Sequence, residues 1–161
     1  MTQNSIKTPI AKIVALLSAL LIALTACGGG TTEETTTVLK GTMGDVDTTI
    51  TYYSVGDDVT RQTTENIMPY SAFGVTTEEE AKTLIDPIAE EFQGIEGIEH
   101  SFEYRENEVV ETLAIDYSKA NIEEVSKLPG SEFSGNMKSG KVSLEGSIKV
   151  FEEQGFTKVE N

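Results

Sequence analysis

From Ile13 to Leu24 the chain is apolar but for Ser18, and from Gly28 to Thr37 it is wholly polar or glycine; beyond that, strand-forming residues take over. Thr36–Met43, Thr48–Ser54 and Val59–Met68 are rich in Thr, Val, Ile and Tyr and predict three strands. The turn sequences Gly44-Asp45-Val46-Asp47 and Val55-Gly56-Asp57-Asp58 separate them. In the third strand Val59, Arg61, Thr63, Glu65 and Ile67 share one face, and Thr60, Gln62, Thr64 and Asn66 the other. Neither face is cleanly apolar, so this strand is expected to be exposed on one side or to lie at an edge.

The loop Pro69–Gly74 leads into the clearest helical pattern. Thr76 with Glu79 fits a capping box, and Glu78, Glu79 and Glu80 suit the positive end of a helix dipole. Ala81, Leu84, Ile85, Ile88 and Phe92 recur at helical spacing and should pack on the sheet. Pro87 lacks a backbone donor and crowds the preceding turn, which predicts a kink or a break there, with Asp86-Pro87 restarting a second short helix. Glycines 94 and 97 bracket a turn into a hairpin, Ile98–Arg105 and Val109–Asp116 around Glu106-Asn107-Glu108. Ile98, His100, Phe102 and Tyr104 alternate onto one face, with Leu113 and Ile115 able to pack opposite. A short helical turn, Ile122–Lys127, should stop at Pro129-Gly130 before a Gly- and Ser-rich loop, Ser131–Gly140. A helix is then expected over Ser143–Gln154 with Leu144, Ile148 and Phe151 inward, stopped by Gly155 and followed by a strand, Phe156–Glu160. This order predicts an α+β fold: a mainly antiparallel sheet with helices packed on one face, in a single compact domain spanning 38–161.

The apolar N-terminal run has a different purpose. Lys7 and Lys12 precede it, no acidic residue occurs before Glu33, and its length of about 12 residues suits a secretory signal but not a membrane span, which needs roughly 18 or more. Leu24-Thr25-Ala26-Cys27 at its end resembles the lipobox of a bacterial lipoprotein signal. The resemblance implies a signal peptide over 1–26 and a diacylglyceryl group on Cys27, followed by a tether over 27–37. An uncleaved membrane helix and an ordinary secretory signal are the competing readings. The polar residues Gly28–Thr37 form a leash with a root-mean-square span of roughly 17–19 Å. Cys27 is the only cysteine, so a mature domain would hold together without disulfides.

Charge then narrows the partners. The formal net charge is −15, and Lys7 and Lys12 are the only charges in the signal, so its removal leaves −17. So acidic a domain is unsuited to nucleic acid, whose phosphates demand Lys and Arg. It is also repelled by the anionic headgroups above which it would be tethered.

Candidate chemistry is sparse. His100 is the only histidine and sits in an apolar register, where a core-margin residue satisfied by one hydrogen bond is expected rather than a catalyst or metal ligand. Asp45, Asp47, Asp57 and Asp58 lie in turns where a divalent cation could gather oxygen ligands, but their spacing matches no calcium loop. Tyr52, Tyr53, Tyr70, Phe73 and Tyr104 could stack on sugars or cap the edge of a core. No nucleophile elbow, phosphate loop or metal-ligand spacing is present, so the reading has no catalytic residue, no cofactor and no metal. Three function classes stand: a non-catalytic binding or adaptor module for an envelope protein or glycan, a divalent-cation binder or sensor, and an envelope enzyme with an unrecognised carboxylate site.

Three segments in order carry a further likeness. Ile50–Glu65 (ITYYSVGDDVTRQTTE), Thr76–Glu99 (TTEEEAKTLIDPIAEEFQGIEGIE) and Gln154–Val159 (QGFTKV), after a lipobox, resemble the YehR-like family of small bacterial lipoproteins. The resemblance implies a compact α+β fold and an extracytoplasmic, lipid-anchored place in the cell envelope. It brings no established activity and no ligand residues.

Overall fold

The Thr-rich segments fold as a meander because two tight turns let each strand return along its neighbour. The computed structural model describes residues 33–128, 135–136 and 140–160. The signal segment 1–26, Cys27, the start of the tether and most of the loop 131–140 lie outside the described residues. Strand β1 (Thr35–Met43) begins three residues before the expected boundary at Val38 and pairs with β2 (Val46–Val55) through the turn Gly44-Asp45. A second two-residue turn, Gly56-Asp57, leads into β3 (Asp58–Pro69). Tyr53 faces Arg61 while Ser54 faces Val59, so Thr60 is the extra residue of a bulge.

A single 3-10 turn (Tyr70–Phe73) occupies the expected loop and delivers the chain to helix α1 (Glu78–Glu91). The capping box is shifted by one residue from expectation. Thr77 is the N-cap, its hydroxyl accepting from Glu80 N while the Glu80 carboxylate accepts from Thr77 N. Thr76/Glu79 and Thr77/Glu80 have the same spacing, and sequence alone does not separate them. Pro87 neither breaks the helix nor starts another; α1 runs through it. The carbonyl its missing N–H leaves free belongs to Thr83, and both residues are exposed, so water can satisfy it.

The hairpin β4 (Ile98–Tyr104) and β5 (Glu108–Asp116) follows as expected. Helix α2 (Ile122–Val125) is capped by Asn121, and a two-residue strand β6 (Gly135–Asn136) pairs with β7 (Lys141–Val142). Helix α3 (Leu144–Glu153) is capped by Ser143, whose hydroxyl accepts from Gly146 N. Of the predicted last strand, β8 (Thr157–Lys158) pairs with β1, Val159 N continues the ladder by donating to Val38 O at 2.9 Å, and Phe156 is buried in the core.

The main sheet has six strands in the order β4-β5-β3-β2-β1-β8, every pair antiparallel. Strand β3 therefore lies inside the sheet, not at an edge, but it is open on one side, through the exposed Arg61 and Glu65 and the half-buried Thr63, as the other half of the expectation had it. Its polar inner face misleads because Gln62, Thr64 and Asn66 are satisfied by neighbouring side chains rather than by water. Three apolar clusters share that face. Leu39, Ile50, Tyr52 and Val59 pack with Ile122, Phe151 and Phe156; Val109 packs with Tyr70, Ala81 and Ile85; Ile115 packs with Phe92, Val125 and Leu128. Helices α1, α2 and α3 thus cover one face, as the α+β reading expected. Gly41 is fixed by the first cluster: a Cβ there would lie 2.5 Å from the Phe156 ring.

The helix stripe is narrower than its spacing suggested. Ala81, Ile85 and Phe92 are buried, but Leu84 is 49% exposed and Ile88 37%. In α3, Ser147 and Phe151 are buried, whereas Leu144 and Ile148 are only half-buried.

Candidate binding face

Alternation along each strand sends every second side chain away from α1, α2 and α3, and on that side the side chains are exposed or half-buried except Val110, which is buried. Registered rows cross it. Lys40, Thr49, Glu65, Thr112 and Ser101 form one; Val38, Thr51, Thr63, Ala114 and Glu99 form the next. Short hydroxyl and methyl groups dominate the middle, with acidic residues on β4 at the margin. Tyr53 belongs to this face, and the Arg61 guanidinium sits 3.8 Å from its ring centroid. The surface can offer hydrogen bonds and shape but assembles no nucleophile with a base.

The covered face holds the histidine. A hydrogen-bonded chain crosses four strands there: Thr48 Oγ1 donates to Asn66 Oδ1 at 2.7 Å, Asn66 Nδ2 donates to Glu111 Oε2 at 2.7 Å, and Glu111 Oε1 lies 2.7 Å from His100 Nε2. The His100 ring stacks on Phe92 at 3.9 Å and meets Phe102 edge-on at 4.7 Å. Its side chain is 3% exposed and that of Glu111 16%. His100 is thus a core residue with a hydrogen-bond partner, as its register suggested. The Glu111 partner was not foreseen; His100 and Glu111 lie on adjacent strands, but diagonal pairing across a predicted hairpin could have suggested it. Glu111→Ala should strand both His100 Nε2 and Asn66 Nδ2 in a partly buried site and cost about 2–3 kcal/mol, read by urea unfolding.

The aromatic set is divided rather than gathered. Tyr52 and Tyr70 are each 2% exposed, Tyr70 donating to Arg105 O at 2.6 Å. Burial pushes the Tyr52 hydroxyl up to about 12. Phe73 packs beside Tyr70, and Tyr104 donates to Asp86 Oδ1 at 2.6 Å. Only Tyr53 of the five reaches the open face.

The acidic turns also separate. Asp47 Oδ1 accepts from Thr42 Oγ1 at 2.9 Å, at the far end of the meander from Asp57. Asp57 instead serves α3: its Oδ1 accepts from Glu145 N at 2.8 Å and its Oδ2 from Ser143 Oγ at 2.7 Å. Asp58 pairs with Lys141. Among the described residues no three His, Cys, Asp or Glu side chains are grouped to hold a metal. The Glu145 amide, then the Ser143 hydroxyl, hold the Asp57 carboxyl below its ordinary range. Asp116, beside Lys119 at 2.8 Å and Ser118, is lowered to about 2. Groups depressed in this way stabilise the fold above their unfolded pKa and lose that contribution as pH falls through the folded one. Stability should therefore decline below about pH 4, and Asp57→Ala should cost about 1 kcal/mol at pH 7 and flatten that decline. Thermal melts from pH 7 to pH 2 measure both.

Comparison with known proteins agrees with this geometry. The profile of a family described as "Protein of unknown function (DUF1307)" matches residues 34–157. An uncharacterized lipoprotein of Listeria innocua is 40% identical over 91% of this chain and 94% of its own, and one of Listeria monocytogenes is 37% identical over 92% and 95%. The uncharacterized lipoprotein YehR of Escherichia coli is 24% identical over 88% and 91%. The solution structure of Escherichia coli YehR superposes with a TM-score of 0.68 at 23% identity, covering 79% of this chain and 91% of that one. A Streptococcus pneumoniae protein superposes with a TM-score of 0.56 at 16% identity, covering 99% of both chains.

Proposed function

The chain belongs to the DUF1307 family, the YehR-like lipoproteins, and we propose that it is a lipid-anchored, non-catalytic binding module of the cell envelope. In this reading the signal over 1–26 is removed and acyl chains on Cys27 hold the domain to the membrane. Its place is extracytoplasmic: on the cell membrane, or on the outer membrane in a two-membrane cell.

The observation that carries the binding role is the asymmetry of the sheet. Among the described residues every helix packs on one face, where the polar side chains of His100, Glu111, Asn66 and Thr48 satisfy one another. The opposite face and the edge strand β4 are left for a partner. A protein partner suits this surface better than a glycan, because Tyr52, Tyr70 and Tyr104 are engaged in or beside the core and the Tyr53 ring already carries Arg61. No nucleic-acid role is consistent with the charge of −15.

In-cell crosslinking of the lipidated protein, with affinity capture and mass spectrometry, tests the proposal against an unanchored Cys27→Ser control. An abundant envelope protein captured with the anchored form and lost with the control supports it. Capture of none, with the protein correctly localised, would remove the adaptor reading.

A further inference from the structure

We infer that the free edge of β4, together with the pocket beside it, takes up an extended segment of a partner protein whose residues alternate between cationic and apolar. The inference rests on the reading of the domain as a binding module and names the site and the chemistry of its partner.

The backbone supplies the first part. Arg105 N donates to Glu108 O and Asp116 N to Gly97 O, each at 2.8 Å, so the odd-numbered residues of this hairpin turn their backbone groups toward β5. Those of His100, Phe102 and Tyr104 point the other way, and their N–H and C=O groups find no partner among the described residues. The exposure of His100 agrees. Its side chain is almost fully buried, yet the residue as a whole is only half-buried, so what water reaches is its main chain. An added strand would find three donors and three acceptors spaced for pairing.

The second part is a concavity along that edge. An open pocket of about 500 Å³ lies between the C-terminal end of α1 and β4, lined by the apolar Ala89, Phe92 and Ile98 and by Gln93, Gly94, Glu99 and His100. Alternate side chains of an added strand would point toward it, and one of Val or Leu size would rest against Ala89, Phe92 and Ile98, with polar groups around them. The other set would lie on the open face beside Glu99, Ser101 and Glu103, all exposed. Arg105 is shared between Glu103 and Glu108, at 3.1 and 3.2 Å, so with Glu99 the edge carries three carboxylates against one guanidinium, and this net negative charge selects Lys or Arg at those positions.

The same carboxylates argue against a second copy of this chain. Antiparallel pairing over all seven residues of β4 centres on Ser101 and sets Glu99 against the second copy's Glu103 twice over. Like charges directly opposite are destabilising. Acidic residues thus guard the edge against self-association while leaving it open to a basic strand.

The test uses the intact chain in detergent micelles and a fluorescent heptapeptide of alternating Lys and Val. Its acidic counterpart has Glu in place of Lys, and two further versions are N-methylated at the Lys or at the Val positions. The Lys–Val peptide should bind at least ten times more tightly than the Glu–Val one, with amide shifts concentrated at His100, Phe102 and Tyr104. Methylation of one set should abolish binding, the Val set for an antiparallel strand and the Lys set for a parallel one. The Glu99→Lys/Glu103→Lys variant, changed only at exposed positions, should lose at least tenfold. Binding indifferent to both methylations, or shifts confined to other strands, would overturn the proposal. So would dimerisation through β4, which would make a second copy the occupant. Absence of peptide binding by a chain that still captures a partner in cells would overturn this site alone and leave the binding-module reading standing.

Discussion

Cys27→Ala should move the protein from the membrane fraction to the soluble extracytoplasmic fraction or the medium and abolish its labelling by a fatty-acid analogue. The effect is all-or-none because nothing in the folded domain replaces the anchor. Among the described residues no helix is long and apolar enough to cross a membrane, and the acidic surface is repelled by anionic lipid. Each buried acyl methylene contributes about 0.8 kcal/mol, so the two long chains proposed on Cys27 would contribute roughly 20 kcal/mol and would hold the protein permanently. Without them a domain of formal charge −17 after signal removal, the −15 of the whole chain less Lys7 and Lys12, has no affinity for the bilayer. Labelling that persists in Cys27→Ala would contradict the lipoprotein reading. Retention at the membrane without labelling would favour an uncleaved helix.

Gly97→Ala should destabilise the domain by about 3 kcal/mol, enough to lower the midpoint of thermal unfolding by roughly 10 °C. Two effects combine. Gly97 has φ of +79°, where an L side chain is strained, and a Cβ there would lie 2.6 Å from Ala120 N and 2.8 Å from Asp116 O. Both neighbours are backbone, so no rotamer change relieves the contact. Asp116 N also donates to Gly97 O, which ties this turn to the end of β5. Relaxing the clash would therefore pull apart the hairpin that carries His100 and the free edge. Differential scanning calorimetry of the variant checks the size of the effect. A midpoint within 2–3 °C of the parent, less than about 1 kcal/mol, would show that the turn can yield.

Much of this architecture was legible in the sequence, and the exceptions share a cause. The meander, the β4–β5 hairpin and the bounds of α3 follow from strand composition, turn residues and caps, which act over a few neighbours. The interior place of β3 was hidden because its polar inner side chains are satisfied by residues far along the chain: Asn66 by Thr48 and Glu111, and Gln62 by Tyr117, whose hydroxyl donates to it at 2.9 Å. The exposure of Leu84 and Ile88 was hidden for a related reason. Helical periodicity marks a stripe, but its width is decided by how much sheet α1 can reach, and Ala81, Ile85 and Phe92 suffice. Pro87 is tolerated because solvent lies on its side of the helix. The structural role of Asp57 was hidden in the same way, although its spacing from the other turn aspartates already spoke against a calcium loop. Its partners, Ser143 and Glu145, lie more than 80 residues away and become visible only when α3 docks.

In the proposed function the helix layer builds the core, while the open face and its β4 edge meet the partner. Site-resolved photocrosslinking in living cells tests it most directly, with the photoreactive residue placed at Thr63 or Ser101 on the open face and, for contrast, at the exposed Lys149 on α3. One crosslinked adduct of the same mass is expected from Thr63 or Ser101 and none from Lys149. An adduct from Lys149 with none from the open face would contradict the proposed function.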